Sequence, residues 1–145
     1  AHTYYWGDIH LQNFGEKRGS QISPVKDAID YGMKYTFHQD TPVIPPDMMR
    51  TISSTVNRIS RGGRVIGENQ KISVLDALKA VTIYAAYQYF EEHEKGSIEC
   101  GKYADFVVLE KNPLKTPKEE LAEIKVWMTI KENEVIYRSG EANHE

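Results

Sequence analysis

The stretch Gly96-Ser97-Ile98-Glu99-Cys100-Gly101-Lys102-Tyr103-Ala104-Asp105-Phe106-Val107-Val108-Leu109 limits the possible folds more than any other. Two glycines break the chain, and an uninterrupted apolar run, Phe106 to Leu109, follows them. A short apolar run bounded by turn residues has the pattern of a strand buried on both faces. Further on, Ile124, Val126, Met128 and Ile130 alternate with Lys125, Trp127 and Thr129, which predicts a half-buried strand. Glu132-Asn133 turns it into another strand, Glu134 to Tyr137. Between these runs Asn112-Pro113 marks a turn and Pro117 to Leu121 a short helix, and a frayed tail is expected from Gly140. The end of the chain should therefore be a small β-region.

The part before Gly96 has a different character. Ala1 to Trp6 is a β-prone aromatic run, read as a strand, and residues 7–22 are polar and punctuated by glycine, read as a loop. Ser23-Pro24 has the form of a helix start and Gly32 of its stop. Lys34 to Phe37 is again β-prone and runs into His38-Gln39-Asp40. Strand, helix and strand in that order suit a parallel sheet or barrel. Asp47 opens a helix whose Met48, Met49, Ile52, Val56 and Ile59 follow helical spacing, with Arg61-Gly62-Gly63 as its end. Ser73 and Asp76 form a capping box for a helix expected to run to about Glu92.

With 40% apolar and 27% charged residues, the chain has the composition of a globular domain. Its net charge of −3 is interspersed, so there is no basic face for nucleic acid or an anionic membrane. No apolar run approaches the roughly 20 residues that span a bilayer. The single cysteine, Cys100, excludes an internal disulfide and is compatible with a reducing, cytoplasmic setting; it is expected to pack.

Asp40 is the leading candidate for chemistry. A carboxylate at the C-terminal end of a barrel strand lies where such folds place catalytic groups, although an aspartate in a turn has the same local pattern. His38, two residues earlier, would share its side of a strand. His2 and His10 flank the Trp6-Gly7-Asp8 stretch, and each of these histidines is also explained as a hydrogen-bonded structural residue. Arg58 and Arg61 are candidates to pair with acids. His93 and His144 sit among charged residues and are expected to be inert.

Two motifs resemble one family. Gly96-Ser97-Ile98 followed by Gly101-Lys102, Ala104-Asp105 and Phe106 to Leu109 is similar to the segment leading metal-dependent amidohydrolases from their barrel into a small β-sandwich. Gln39-Asp40-Thr41-Pro42-Val43 resembles the end of the last barrel strand in family-3 amidohydrolases, with Gln in a position usually held by Ser. The likeness continues through Val56-Asn57-Arg58, Gln70 to Ser73, Thr82 to Ala86 and the final hairpin. His2 to Asp8 resembles a branch that includes exoenzyme-regulatory, AepA-like chains.

The resemblance implies an α/β chain: residues 1–95 would be the last βα units of a TIM barrel, incomplete here, and 96–145 part of a composite β-sandwich. It implies a hydrolase that attacks a C–N, amide-type bond of a small molecule with metal-activated water. Asp40 would be general base and acid and would contact the metal, expected to be zinc; His2 and His38, from their placement near Asp40, are expected to touch substrate. The family's His-x-His pair is missing, and a whole barrel needs roughly 250 residues. Asp40 cannot alone supply the about four ligands zinc requires. The chain therefore reads as a C-terminal fragment, inactive and metal-free by itself, and prone to self-associate through uncovered edges. The alternative is a non-catalytic regulatory or assembly module.

Overall fold

The computed structural model describes residues 1–140. Five α-helices precede a small antiparallel sheet: α1 His2–Gly19, α2 Val25–Asp30, α3 Met48–Asn57, α4 Val74–Ala80 and α5 Ile83–Gln88, then β1 Phe106–Leu109, β2 Val126–Lys131 and β3 Glu134–Arg138. Short 3₁₀ turns cover Glu68–Gln70 and Lys118–Glu123.

The core is built on α3. Its start follows from Asp47, whose carboxylate accepts from the Arg50 amide at 2.8 Å. Met49, Ile52 and Val56 lie on one face and pack with Ile72, Ala77, Leu121 and Ile124. The helix ends earlier than the Gly62-Gly63 pair suggested, because Arg58 adopts a left-handed backbone (φ 56°). The capping box at α4 is present: the Ser73 hydroxyl accepts from the Asp76 amide at 3.1 Å and donates to its carboxylate at 2.7 Å. The expected long helix is instead two, broken at Thr82, whose hydroxyl turns back to the Leu78 carbonyl.

Both segments expected to be barrel strands differ from expectation. Residues 2–19 are helical, with a kink at Gly15 (φ 73°). The aromatic run has no strand to pair with, since the described strands all lie beyond residue 105; a helix satisfies its backbone groups internally. Thr3, Gly7 and Leu11, four apart, form the buried face. Gly7 permits the approach, because a Cβ there would lie 2.8 Å from Ile66 Cγ1. Residues 33–40 are extended but join no ladder.

The sheet has the order β1-β2-β3. Glu132 and Asn133, with φ of 50° and 68°, form the tight hairpin turn expected there. Asp105 accepts from the Glu132 amide at 2.8 Å and holds that turn against the approach to β1. Burial of β1 on both faces does not hold: Val107 is 58% exposed, because nothing described covers that face. Cys100 is also exposed rather than packed. His144 and most of the tail from Gly140 lie outside the described residues.

Candidate functional site

Asp40 sits at the end of the extended segment 33–40, in a tight turn where its carbonyl accepts from the Val43 amide at 2.7 Å. Its φ of 59° is left-handed, a conformation that Asp tolerates better than most residues. The residue is exposed, and its carboxylate takes no hydrogen bond or ion pair from the described residues. It is thus open to solvent.

His2 and His38 come together although they belong to different segments. Their ring centroids are 5.5 Å apart, His2 on the first turn of α1 and His38 beside Asp40. Burial is the main cause that lowers the His2 pKa below its ordinary value, followed by the amine of residue 1 and by His38; Asp40 acts in the opposite sense. These influences put Asp40, His2 and His38 in one electrostatic neighbourhood. The two imidazoles line a cavity of about 330 Å³ that also receives Tyr35, Phe37, Ala28 and Ser54. The expected strand geometry at 38–40 is absent, yet His2 and His38 meet; Asp40 stands outside the residues that line the cavity.

His10 lies on α1 stacked on Phe14, with ring centroids 5.8 Å apart, and its buried Nδ1 has no hydrogen-bond partner among the described residues. His93 is exposed, as its charged surroundings suggested.

Arg58 is the residue that sequence reasoning misjudged most. It is 1% exposed and binds backbone carbonyls, not acids. Its Nε donates to Ile66 O at 2.7 Å, Nη1 to Ser23 O at 3.1 Å, and Nη2 to Ile22 O at 2.8 Å and Ser20 O at 3.5 Å. Burial pushes its pKa down to about 10. The guanidinium therefore ties the loop between α1 and α2 to the end of α3. Gln70 does similar work for α2: its Oε1 accepts from the amides of Lys26 at 3.0 Å and Asp27 at 3.3 Å. It supplies the cap expected of Ser23, which has a left-handed backbone instead.

Among the described residues no group of three His, Cys, Asp or Glu side chains converges where a metal ion could sit. The donor set around Asp40 is therefore incomplete for a metal centre by itself. Nor is any described helix long and apolar enough to cross a membrane.

A family model described as "Amidohydrolase family" matches residues 1–137. The chain belongs to the amidohydrolase family. It is 26% identical over 140 residues to the N-substituted formamide deformylase of Arthrobacter pascens, an alignment covering 95% of this chain and 26% of that protein. It is 26% identical over 133 residues to YtcJ of Bacillus subtilis (strain 168), covering 90% and 25% of the two chains. The fold is similar to the crystal structure of an amidohydrolase from Thermotoga maritima MSB8, with a TM-score of 0.60 and 22% identity, over 79% of this chain and 25% of that one. The chain thus spans about a quarter of the length of the relatives it matches. Family membership supports a hydrolase in general terms.

Proposed function

We propose that this stretch serves a hydrolase that cleaves a C–N, amide-type bond of a small molecule, and that Asp40 handles the proton. Asp40 takes a proton as water attacks the carbonyl carbon, then returns it to the nitrogen as the C–N bond breaks, so that the amine leaves neutral. His2 and His38 orient the substrate's polar atoms; the lowered pKa keeps the His2 imidazole neutral near pH 7, able to donate through one nitrogen and accept through the other. In this reading residues 1–95 are the closing part of a barrel and 96–145 part of a composite β-sandwich. A divalent metal, zinc in this reading, activates the water when bound. Its other ligands belong to the longer protein, and residues 1–145 alone are inactive.

The observation that carries the reading is an Asp40 carboxylate unbonded among the described residues and within electrostatic reach of His2, whose ring meets that of His38, in a chain of the amidohydrolase family. The relative from Arthrobacter pascens suggests N-substituted formamides as the first substrates to try. In the full-length protein, Asp40→Asn should lower kcat by about 10²–10⁴-fold, the usual contribution of a positioned acid–base group, with the fold unchanged by circular dichroism. An Asn variant of undiminished kcat would refute the assignment.

A further inference from the structure

Flanked by exposed His38 and exposed Asp40, the side chain of Gln39 turns inward and is buried. Its Nε2 donates to the Thr51 hydroxyl at 2.9 Å, in the middle of α3. That hydroxyl donates onward to the Asp47 carbonyl at 2.9 Å, and Asp47 is the residue that caps α3. The far side of the turn is held separately: Ile44 is 1% exposed, and the Thr41 hydroxyl donates to its carbonyl at 3.2 Å. The turn is therefore tied to the core on both sides of Asp40, whose own carboxylate takes no hydrogen bond or ion pair from the described residues. Its left-handed backbone is the kind of conformation that persists when its surroundings over-determine it.

We infer that Gln39 is a positioning residue: through Thr51 it fixes the turn so that the unbonded Asp40 carboxylate is presented in one direction. This rests on the reading of Asp40 as the proton-handling group. A reacting carboxylate must stay free of competing partners, yet catalysis suffers when it wanders. Anchoring the neighbouring side chain in place of the carboxylate meets both demands.

The test uses the full-length protein with an N-substituted formamide and compares Gln39→Ala, Thr51→Val and the double variant. Each single change should lower kcat about 10- to 100-fold, the range for losing an orienting partner, with KM nearly unchanged. The double variant should lose little more, because both changes break one link. Thr51→Ser, which keeps the hydroxyl, should restore kcat. Amide exchange at Val43, whose N–H is bonded to the Asp40 carbonyl, should quicken in both single variants while α3 stays protected. Additive losses, or unchanged exchange at Val43, would overturn the inference. If Gln39→Ala is kinetically silent while Asp40→Asn is inactive, the inference fails and the Asp40 reading stands. If Asp40→Asn keeps full activity, the Asp40 reading itself fails.

Discussion

The helical region around α3 and the β1-β2-β3 sheet are stabilised in different ways. Along α3 every residue from Thr51 to Val56 is buried, and the segments around it are tied by side chains that bridge distant parts of the sequence. Arg58, Gln70 and the Gln39–Thr51 pair are such bridges. In the sheet, every residue of β3 is exposed, and Trp127 and Val107 face outward at 46% and 58% exposure. The sheet is held by its own ladder, by the Asp105 contact to its turn and by Leu109 against the core, with Met128 its buried residue. Consequently the helical region should lose stability at single residues, whereas the exposed positions of the sheet should tolerate most changes.

Arg58→Met offers the strongest challenge to this contrast. It removes the donors from the Ile66 carbonyl and from three part-buried carbonyls of residues 20–23, and should cost about 3–5 kcal/mol in urea denaturation, as when one side of a buried polar cluster is removed. Ile52→Ala, at a site 1% exposed, should cost about 2–5 kcal/mol. In the sheet, Val135→Thr should stay within about 0.5 kcal/mol, as surface changes usually do. Comparable losses in the two regions would dissolve the distinction. Ser73→Ala should be intermediate at about 1 kcal/mol, the usual value of a side-chain cap.

The smallest effects concern pH. Tyr35 has its pKa raised to about 12 by burial, with Asp76 and Tyr84 adding to it, and its hydroxyl lies 3.4 Å from the Asp76 carbonyl. A raised folded-state pKa contributes stability that is full below the ordinary value of about 10 and is lost as pH rises through the folded value. Tyr35→Phe should flatten that alkaline fall and remove the late step in phenolate absorbance. His2 has the opposite sign. Its lowered pKa favours the folded state above the ordinary value of about 6.5, and that contribution is lost as pH falls through the folded value. His2→Gln should lessen the acid-side loss of thermal stability.

What could be read in the sequence was local. The cap of α3 by Asp47, the Ser73–Asp76 box and the Glu132-Asn133 turn each lie within four residues, and each formed as expected. Failures arose where distant partners decide the outcome. The aromatic run 1–6 has strand composition, but the spacing of Thr3, Gly7 and Leu11 fits a helix face against Ile66, a signal visible in the residues and overridden by propensity. Arg58 reads in the sequence as a cation to pair with acids, because its carbonyl partners are contributed mainly by the distant residues 20–23. Of the candidate site, Asp40, His2 and His38 were named from the residues and the family likeness, and the structure brings the two imidazoles together. The inward turn of Gln39 had no signal in the sequence, since a buried glutamine between two exposed residues depends on Thr51, twelve residues later.

The most direct test of the central claim, that Asp40 returns a proton to the departing nitrogen, is a leaving-group series in the full-length protein. N-substituted formamides with alkyl and aryl nitrogen substituents would be hydrolysed by the unaltered protein and by Asp40→Asn. An alkylamine leaves poorly without protonation, whereas an arylamine needs it less. The account predicts that Asp40→Asn slows the alkyl substrates far more than the aryl ones, steepening the dependence of kcat on amine basicity. Equal slowing across the series would contradict it and reduce Asp40 to a group that acts before the C–N bond breaks.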